Sequence, residues 1–299
     1  MKEVEIARYR CTQCGRTFRV YPKGVSRSQR SLRMKKLLVL MWALGLSYRS
    51  IVQILQVFGI SLSHMSGWRE VQEAGEELRR KLSKKDVRVV GIDGAWLQGK
   101  GVMVAVDMGN GDLLEIARID EKDRDALLAW VEELQGKHHF RVLVTDDLNT
   151  YKSIAQELEL THQVCQFHLR RWTGSALRQL EKKLPPKWRW VIPKIREILQ
   201  TLPQDGDEQL FRLWLSLPSR STSPTEKRTP LEKLRDLVLR LSRDWQRYIA
   251  FTKEEGVPWT NNRTEQCIGR IKSRAKRVRG YKSEQGMLLG SLIAARRRG

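Results

Sequence analysis

From Asp86 the chain reads "VRVVGIDGAWLQGKGVMVAVDMGNGDLLEIARI", three short runs of β-branched and apolar residues parted by "LQGKG" and "MGNGD". Runs of this length predict strands, and the Gly and Asn content of the breaks predicts hairpin turns. "EKDRDALLAWVEELQGK" follows, with Leu127, Leu128, Val131 and Leu134 at helical spacing and Gly136 expected at the helix end. "FRVLVTDDLNTYKSIAQEL" predicts a buried strand ending at Asp146, a turn and a helix, and "THQVCQFHL" a last short strand entering a helix. Three antiparallel strands, a helix, a parallel strand, a helix and a strand make an α/β domain.

Two carboxylates fall at informative places in that order. Asp93 lies within the first strand, and Asp146 closes the fourth. If those strands are neighbours, the two acids converge at one end of the sheet, where they repel each other unless a cation joins them. Hard divalent ions with oxygen ligands, Mg²⁺ or Mn²⁺, suit such a pair. Asp107 and Asp112 flank a turn and are expected to be solvated. Asp147 rivals Asp146, but the apolar run leads straight to Asp146, while Asp147 begins the turn.

A third acid stands in unusual company. In "PWTNNRTEQCIGRIKSRAKRVRGYKS", Glu265 is the only acid among many Arg and Lys residues. A helix is expected here with Thr260 or Asn261 as N-cap, and Glu265 in its first turns. Brought beside Asp93 and Asp146, Glu265 would complete an acidic triad. Asn261, Asn262, Arg263, Lys272, Arg274, Lys276 and Arg277 would hold phosphates around it, Lys272 lying two turns on along the same face. The whole chain carries 56 Lys+Arg against 34 Asp+Glu, a formal charge of +22, which calls for a polyanionic partner. The bias is uneven: residues before about Lys85 and after Glu265 are basic, and Asp86 to Glu133 is rich in acids. That pattern suggests a DNA-binding enzyme holding metal ions rather than a packaging protein.

Near the start, "RYRCTQCGRTFRVYP" sets Cys11 and Cys14 in a Cys-x-x-Cys knuckle with Gly15 at the turn. Two thiolates at this spacing grip one Zn²⁺, but structural zinc needs four ligands. The remaining cysteines, Cys165 and Cys267, lie far downstream, so residues 1–30 read as the second half of a zinc ribbon, one explanation being a start codon assigned too late. Residues 31–85 then predict three short helices broken at Gly45 and Gly59, with Ser47 capping the second and Ser61 or Ser63 opening the third. This suits a helix-turn-helix whose third helix enters the major groove, offering Ser63, His64, Ser66 and Arg69 to bases or phosphates. No apolar run reaches transmembrane length, and "MKEVEIARYRC" lacks a secretory core, so a cytoplasmic, nucleoid-associated protein is expected.

Taken in order, these segments resemble the DDE transposases of bacterial insertion sequences. "GIDGAW" resembles their first-Asp strand, "VTDDLNTYKSI" with Tyr151 their second-Asp segment, and "TNNRTEQCIGRIKSRAKRVRGYKS" their third-acid helix. "CQFHLRR", with Cys165 and His168, resembles the Cys-x-x-His element of Mutator-type transposases; both residues are expected beside the site as supporting groups. The resemblance covers nearly the whole chain. It implies a ribonuclease-H-like catalytic domain over residues 86–299, interrupted by an all-helical insertion at about 170–258. It also implies two-metal strand cleavage and strand transfer at the ends of the element, and at least a dimer, because two double-stranded DNA ends must be joined. The insertion contains Trp172, Trp188, Trp190, Trp214 and Trp245, expected mostly as packing residues with base stacking as the alternative. Two other functions fit the same segments: a catalytically inactive, domesticated DNA-binding protein, and a structure-selective nuclease of the same fold.

Overall fold

The computed structural model describes residues 5–22, 31–82, 84–219, 228–278, 281 and 283–296, and the chain forms two compact units, Met1–Ala74 and Gly75–Gly299. The first opens with a hairpin of β1 (Arg8–Arg10) and β2 (Thr17–Arg19), Tyr9 stacked on Phe18 across it. Cys11 and Cys14 lie in the connection, which Gly15 closes in the left-handed region at φ 68°. Two helices follow, α1 (Leu32–Ala43) and α2 (Tyr48–Val57), and α3 (His64–Arg80) begins in this unit. Each start is capped by a serine: Ser31, Ser47 and Ser63 accept from the backbone N–H of Met34, Ser50 and Ser66. Gly45 and Gly59 take positive φ just past α1 and α2. Leu38, Trp42, Ile51 and Leu55 are buried.

The second unit is built on five strands: β3 (Val89–Leu97), β4 (Lys100–Asp107), β5 (Leu113–Ala117), β6 (Val142–Thr145) and β7 (Thr161–Val164). Their order is β5-β4-β3-β6-β7, with β3 antiparallel to β4, β4 to β5, and β6 parallel to both β3 and β7. This is a ribonuclease-H-like sheet. Gln98 and Gly99, both at positive φ, make the two-residue turn joining β3 to β4. α4 (Arg124–His138) joins β5 to β6, and α5 (Asn149–Glu157) joins β6 to β7. α4 runs past Gly136, where its end was expected, and stops at His139 in the left-handed region. Its last turn is held by His138, whose Nδ1 lies 3.0 Å from the Lys85 carbonyl.

Alternation along β3 divides the core. Val90 and Ile92 pack with Leu127, Val131, Tyr151 and Ile154 of α4 and α5. Ala95 and Leu97 face the other side, with Cys267, Ile268 and Ile271 of α12 (Asn262–Arg277), against which α13 (Glu284–Ala295) also packs. Between β7 and α12 every regular element among the described residues is helical: α6 (Gln166–Glu181), a 3-10 turn (Pro186–Trp188), α7 (Val191–Thr201), α8 (Gly206–Ser216), α9 (Pro230–Arg243) and the short α10 (Trp245–Tyr248) and α11 (Ala250–Lys253). Most of the polar stretch from Pro218 to Pro230 lies outside the described residues. The helices share a core of Leu177, Ile195, Leu210, Leu234 and Leu241 around Trp245. Trp245 is fully buried, and a side chain at Gly206 would collide with its indole at 2.2 Å. Trp172, Trp188 and Trp214 pack against the same core, and Trp190 is half exposed.

Candidate active site

Parallel pairing of β3 and β6 matches Val89 with Val142, Val90 with Leu143 and Gly91 with Val144. Carried two residues further, the same register sets Asp93 beside Asp146. Asp93 shares the face of Gly91, which α12 covers, and Asp146 follows the last residue of β6, near enough to Asp93 for their charges to interact. A strand period of two and an in-register neighbour are enough to bring together acids far apart in the chain.

The third acid is brought toward Asp93 because α12 approaches β3 closely. A Cβ at Gly91 would fall 2.4 Å from Thr264 Oγ1 and 2.5 Å from Asn261 Oδ1, so this position admits glycine alone. Asn261 Nδ2 donates to the Ile92 carbonyl at 3.0 Å, and the Asn261 N–H donates to Cys165 Sγ at 3.3 Å. The start of α12 is thus tied to β3 next to Asp93 and to the end of β7. Asn261 is the N-cap, as expected, but its side chain is spent on β3 rather than on the helix's own N–H groups. One turn on, Glu265 stands half-buried, its Oε1 3.0 Å from His168 Nε2 on α6.

Burial pushes Asp93 up to about 6, with Glu121 and Glu265 adding to the rise while the Gly94 N–H and His168 oppose it. Burial likewise raises Asp146 to about 7, helped by Glu121 and Asp93. Among the described residues neither acid pairs with a Lys or Arg, and Asp146 Oδ1 is buried without a hydrogen-bond partner. Such a set of oxygen donors fits a hard divalent cation, which would supply the missing positive charge.

Glu121 is a fourth carboxylate that was not singled out in the sequence. Its carboxylate lies 3.1 to 3.3 Å from where a side chain at Gly94 would begin, and it accepts from the hydroxyl of fully buried Tyr151 at 2.5 Å. The only signal available was Tyr151 itself, an apolar-face residue whose hydroxyl needs a buried partner.

Asp147 faces elsewhere. Its carboxylate is bound by Arg240 at 2.9 Å, Arg247 at 3.3 Å and the Tyr248 hydroxyl at 3.1 Å, all from the helical insertion. Asp107 is buried rather than solvated, since it pairs with Lys85 at 2.7 Å and accepts from the Gly109 N–H within its own turn. Of the expected phosphate contacts, Asn262, Arg263, Lys272, Lys276 and Arg277 are exposed. Asn261 and Arg274 are corrections: both are buried, at 2% and 3% exposure, because α12 turns these positions onto the body of the domain. Ser63, His64 and Arg69 are exposed at the start of α3, and Ser66 is half-exposed with its hydroxyl 3.0 Å from that of Ser63. Cys11 and Cys14 are free thiols, and among the described residues no third metal-ligating side chain gathers beside them. Cys165 and His168, in contrast, stand with Glu265: one ligand atom of each lies within 4.8 Å of the others.

Sheet order defines a ribonuclease-H-like α/β fold, with Asp93 within β3 and Asp146 directly after the neighbouring parallel strand β6. Residues 127–288 match the family model described as "Transposase IS66 family", and the chain belongs to that family. Among solved structures, one similar chain is the "catalytic core domain of BIV integrase", at 14% identity and a TM-score of 0.24, covering 51% of this chain and 97% of that one. No curated protein matches the sequence. No helix among the described residues is long and apolar enough to cross a membrane.

Proposed function

We propose that this transposase cuts and rejoins DNA at the ends of its insertion sequence, using Asp93, Asp146 and Glu265 as the acids that hold Mg²⁺ or Mn²⁺. One observation supports this reading: half-buried Asp93 and Asp146 feel each other's charge and Asp93 also that of Glu265, in a basic protein, yet among the described residues none of the three takes a Lys or Arg partner. A bound divalent cation would polarise the scissile phosphate and acidify an attacking water or 3′-hydroxyl. The chain's own groups do the rest. Half-burial of the acids shields them from competing counterions, and His168 orients the Glu265 carboxylate by its 3.0 Å contact. Exposed Lys272 and Lys276 follow Glu265 along one face of α12 and suit the phosphate backbone beside the acids; Arg263, which donates to the Met108 carbonyl, and Arg277 are exposed on other sides of the helix. Glu121, anchored by Tyr151, orders the cluster from the side of Gly94.

The same reading takes residues 31–85 as the sequence-reading helix-turn-helix, with Ser63, His64, Ser66 and Arg69 toward the groove, and residues 86–299 as the catalytic domain with its helical insertion at about 170–258. Cys11 and Cys14 offer half of a Zn²⁺ site, and a Mutator-like character rests on the Cys165 and His168 element. Joining two ends of double-stranded DNA requires at least a dimer. The test is cleavage of a plasmid carrying the element's ends in Mg²⁺, with a gel-shift measurement alongside. Glu265→Gln should abolish cutting while DNA binding survives; full cutting by that variant would overturn the assignment.

A further inference from the structure

Cys165, His168 and Glu265 carry a donor set unlike the acids beside them. Cys165 is fully buried at the end of β7, where it caps α6. His168 is three residues on, so the thiol and imidazole share one helix face. Glu265 joins from α12, and the three ligand atoms lie within 4.8 Å of one another. Two backbone hydrogen bonds fix this geometry before any ion arrives: Asn261 N–H to Cys165 Sγ at 3.3 Å and Gln166 N–H to the Trp259 carbonyl at 2.9 Å. Sulfur, nitrogen and one carboxylate oxygen form a three-ligand set of the kind zinc takes with a fourth, open position, whereas hard cations prefer oxygen alone.

We propose that Cys165, His168 and Glu265 form a second metal site, selective for a soft divalent ion of the zinc class. Occupancy turns the Glu265 carboxylate toward Cys165 and away from Asp93 and Asp146, so zinc inhibits the magnesium-dependent reaction. Only this inhibitory consequence rests on the reading of Glu265 as a ligand of the cutting centre; binding of the soft ion does not.

Cobalt(II) reports the site without DNA or catalysis. The full chain carrying Cys11→Ser and Cys14→Ser, which removes the exposed thiols, is titrated with Co²⁺ and followed by absorption. One equivalent should bind with a sulfur-to-cobalt charge-transfer band and be displaced by Zn²⁺. Adding Cys165→Ser should abolish the band, and His168→Gln, at a half-exposed position, should weaken binding at least about tenfold. Circular dichroism establishes that each variant is folded. No band in the folded background protein, or a band that survives Cys165→Ser, overturns the site. In the plasmid assay, stoichiometric Zn²⁺ should inhibit the background protein. Unimpeded cutting with the cobalt site filled overturns the sharing of Glu265, whereas a band without any magnesium-dependent cutting would fault the proposed function and leave the metal site standing.

Discussion

Asp146 and Asp147 are neighbours in the chain and opposites in the fold. Asp147 meets two guanidinium groups and a tyrosine hydroxyl, a local neutralisation that fastens the helical insertion to the end of β6. Asp146 meets mostly negative charge, from Glu121, Asp93 and Asp147, opposed by His168. Burial raises both carboxyls, but Arg240 and Arg247 pull Asp147 back down, whereas among the described residues only His168 does so for Asp146. Buried like charges are relieved either by taking up a proton or by gaining a cation. One aspartate is neutralised by the insertion, and the other is the one that the proposed function assigns to a cation.

The widest separation between the two should appear in cutting. Asp93→Asn and Asp146→Asn should each lower magnesium-dependent cleavage on the order of 10³-fold, with end binding in gel shift retained. Activity near that of the parent in either variant would put the acids back among structural residues.

Stability should separate them in the reverse direction. Asp147→Ala strips exposed Arg240 of its carboxylate and leaves mostly buried Arg247 to Asp244, and breaking the mostly buried Arg247 pair costs about 3 kcal/mol. Urea unfolding followed by tryptophan fluorescence reads this, since Trp245 is buried in the insertion's core. An unchanged midpoint for this variant would mean the Arg residues find other partners at no cost.

Asp93 and Asp146 hold their protons up to about 6 and 7 in the folded chain, against 3.8 for an ordinary aspartate. A raised value means the folded state binds the proton more tightly. Their contribution to stability is complete below the ordinary value and disappears as pH climbs through 6 and 7. Without metal, the melting temperature should therefore fall across that window. Asp146→Asn should flatten the profile and gain about 2 kcal/mol above it. Mg²⁺ should restore the parent most at the high end, where the acids are ionised. A metal-free melting temperature that rises through the same window would contradict the geometry.

Much of this contrast was legible in the sequence because strand alternation and punctuation are local. "VVGIDGAW" and "VLVT" predicted their strands, and the parallel register between them did the long-range work of joining Asp93 to Asp146. The choice of Asp146 over Asp147 followed from where the apolar run stops. What opposes each of them was not legible, because Arg240, Arg247 and Tyr248 come from helices about a hundred residues away. Glu121 was hidden for a similar reason: it sits in a loop with no periodicity, and only Gly94, by lacking a side chain, leaves room for it. Arg274 misled because a basic helix still turns one side inward, and α12 buries the positions that follow Ile271 by one turn.

The smallest effect should come from the group farthest from the metal. Among the described residues the Tyr151 hydroxyl donates to Glu121 rather than to Asp93 or Asp146, and Glu121 in turn raises both acids. Tyr151→Phe keeps the ring in the packing against α4 and removes one hydroxyl. Freed from that donor, the Glu121 carboxylate samples other rotamers, and the cluster loses part of its order before binding. Outer partners of metal ligands typically change affinity 10- to 100-fold, and one hydrogen bond removed at the edge of the cluster should sit at the lower end, about tenfold in the Mg²⁺ dissociation constant. Glu121→Gln keeps the shape but removes a charge, so it should weaken Mg²⁺ at least as much while lowering the pH at which Asp146 ionises. Calorimetric titration of metal into the two variants separates the roles. Equal, parent-like affinities in both would reduce Glu121 to a loop anchor and leave the three acids to hold the cation alone.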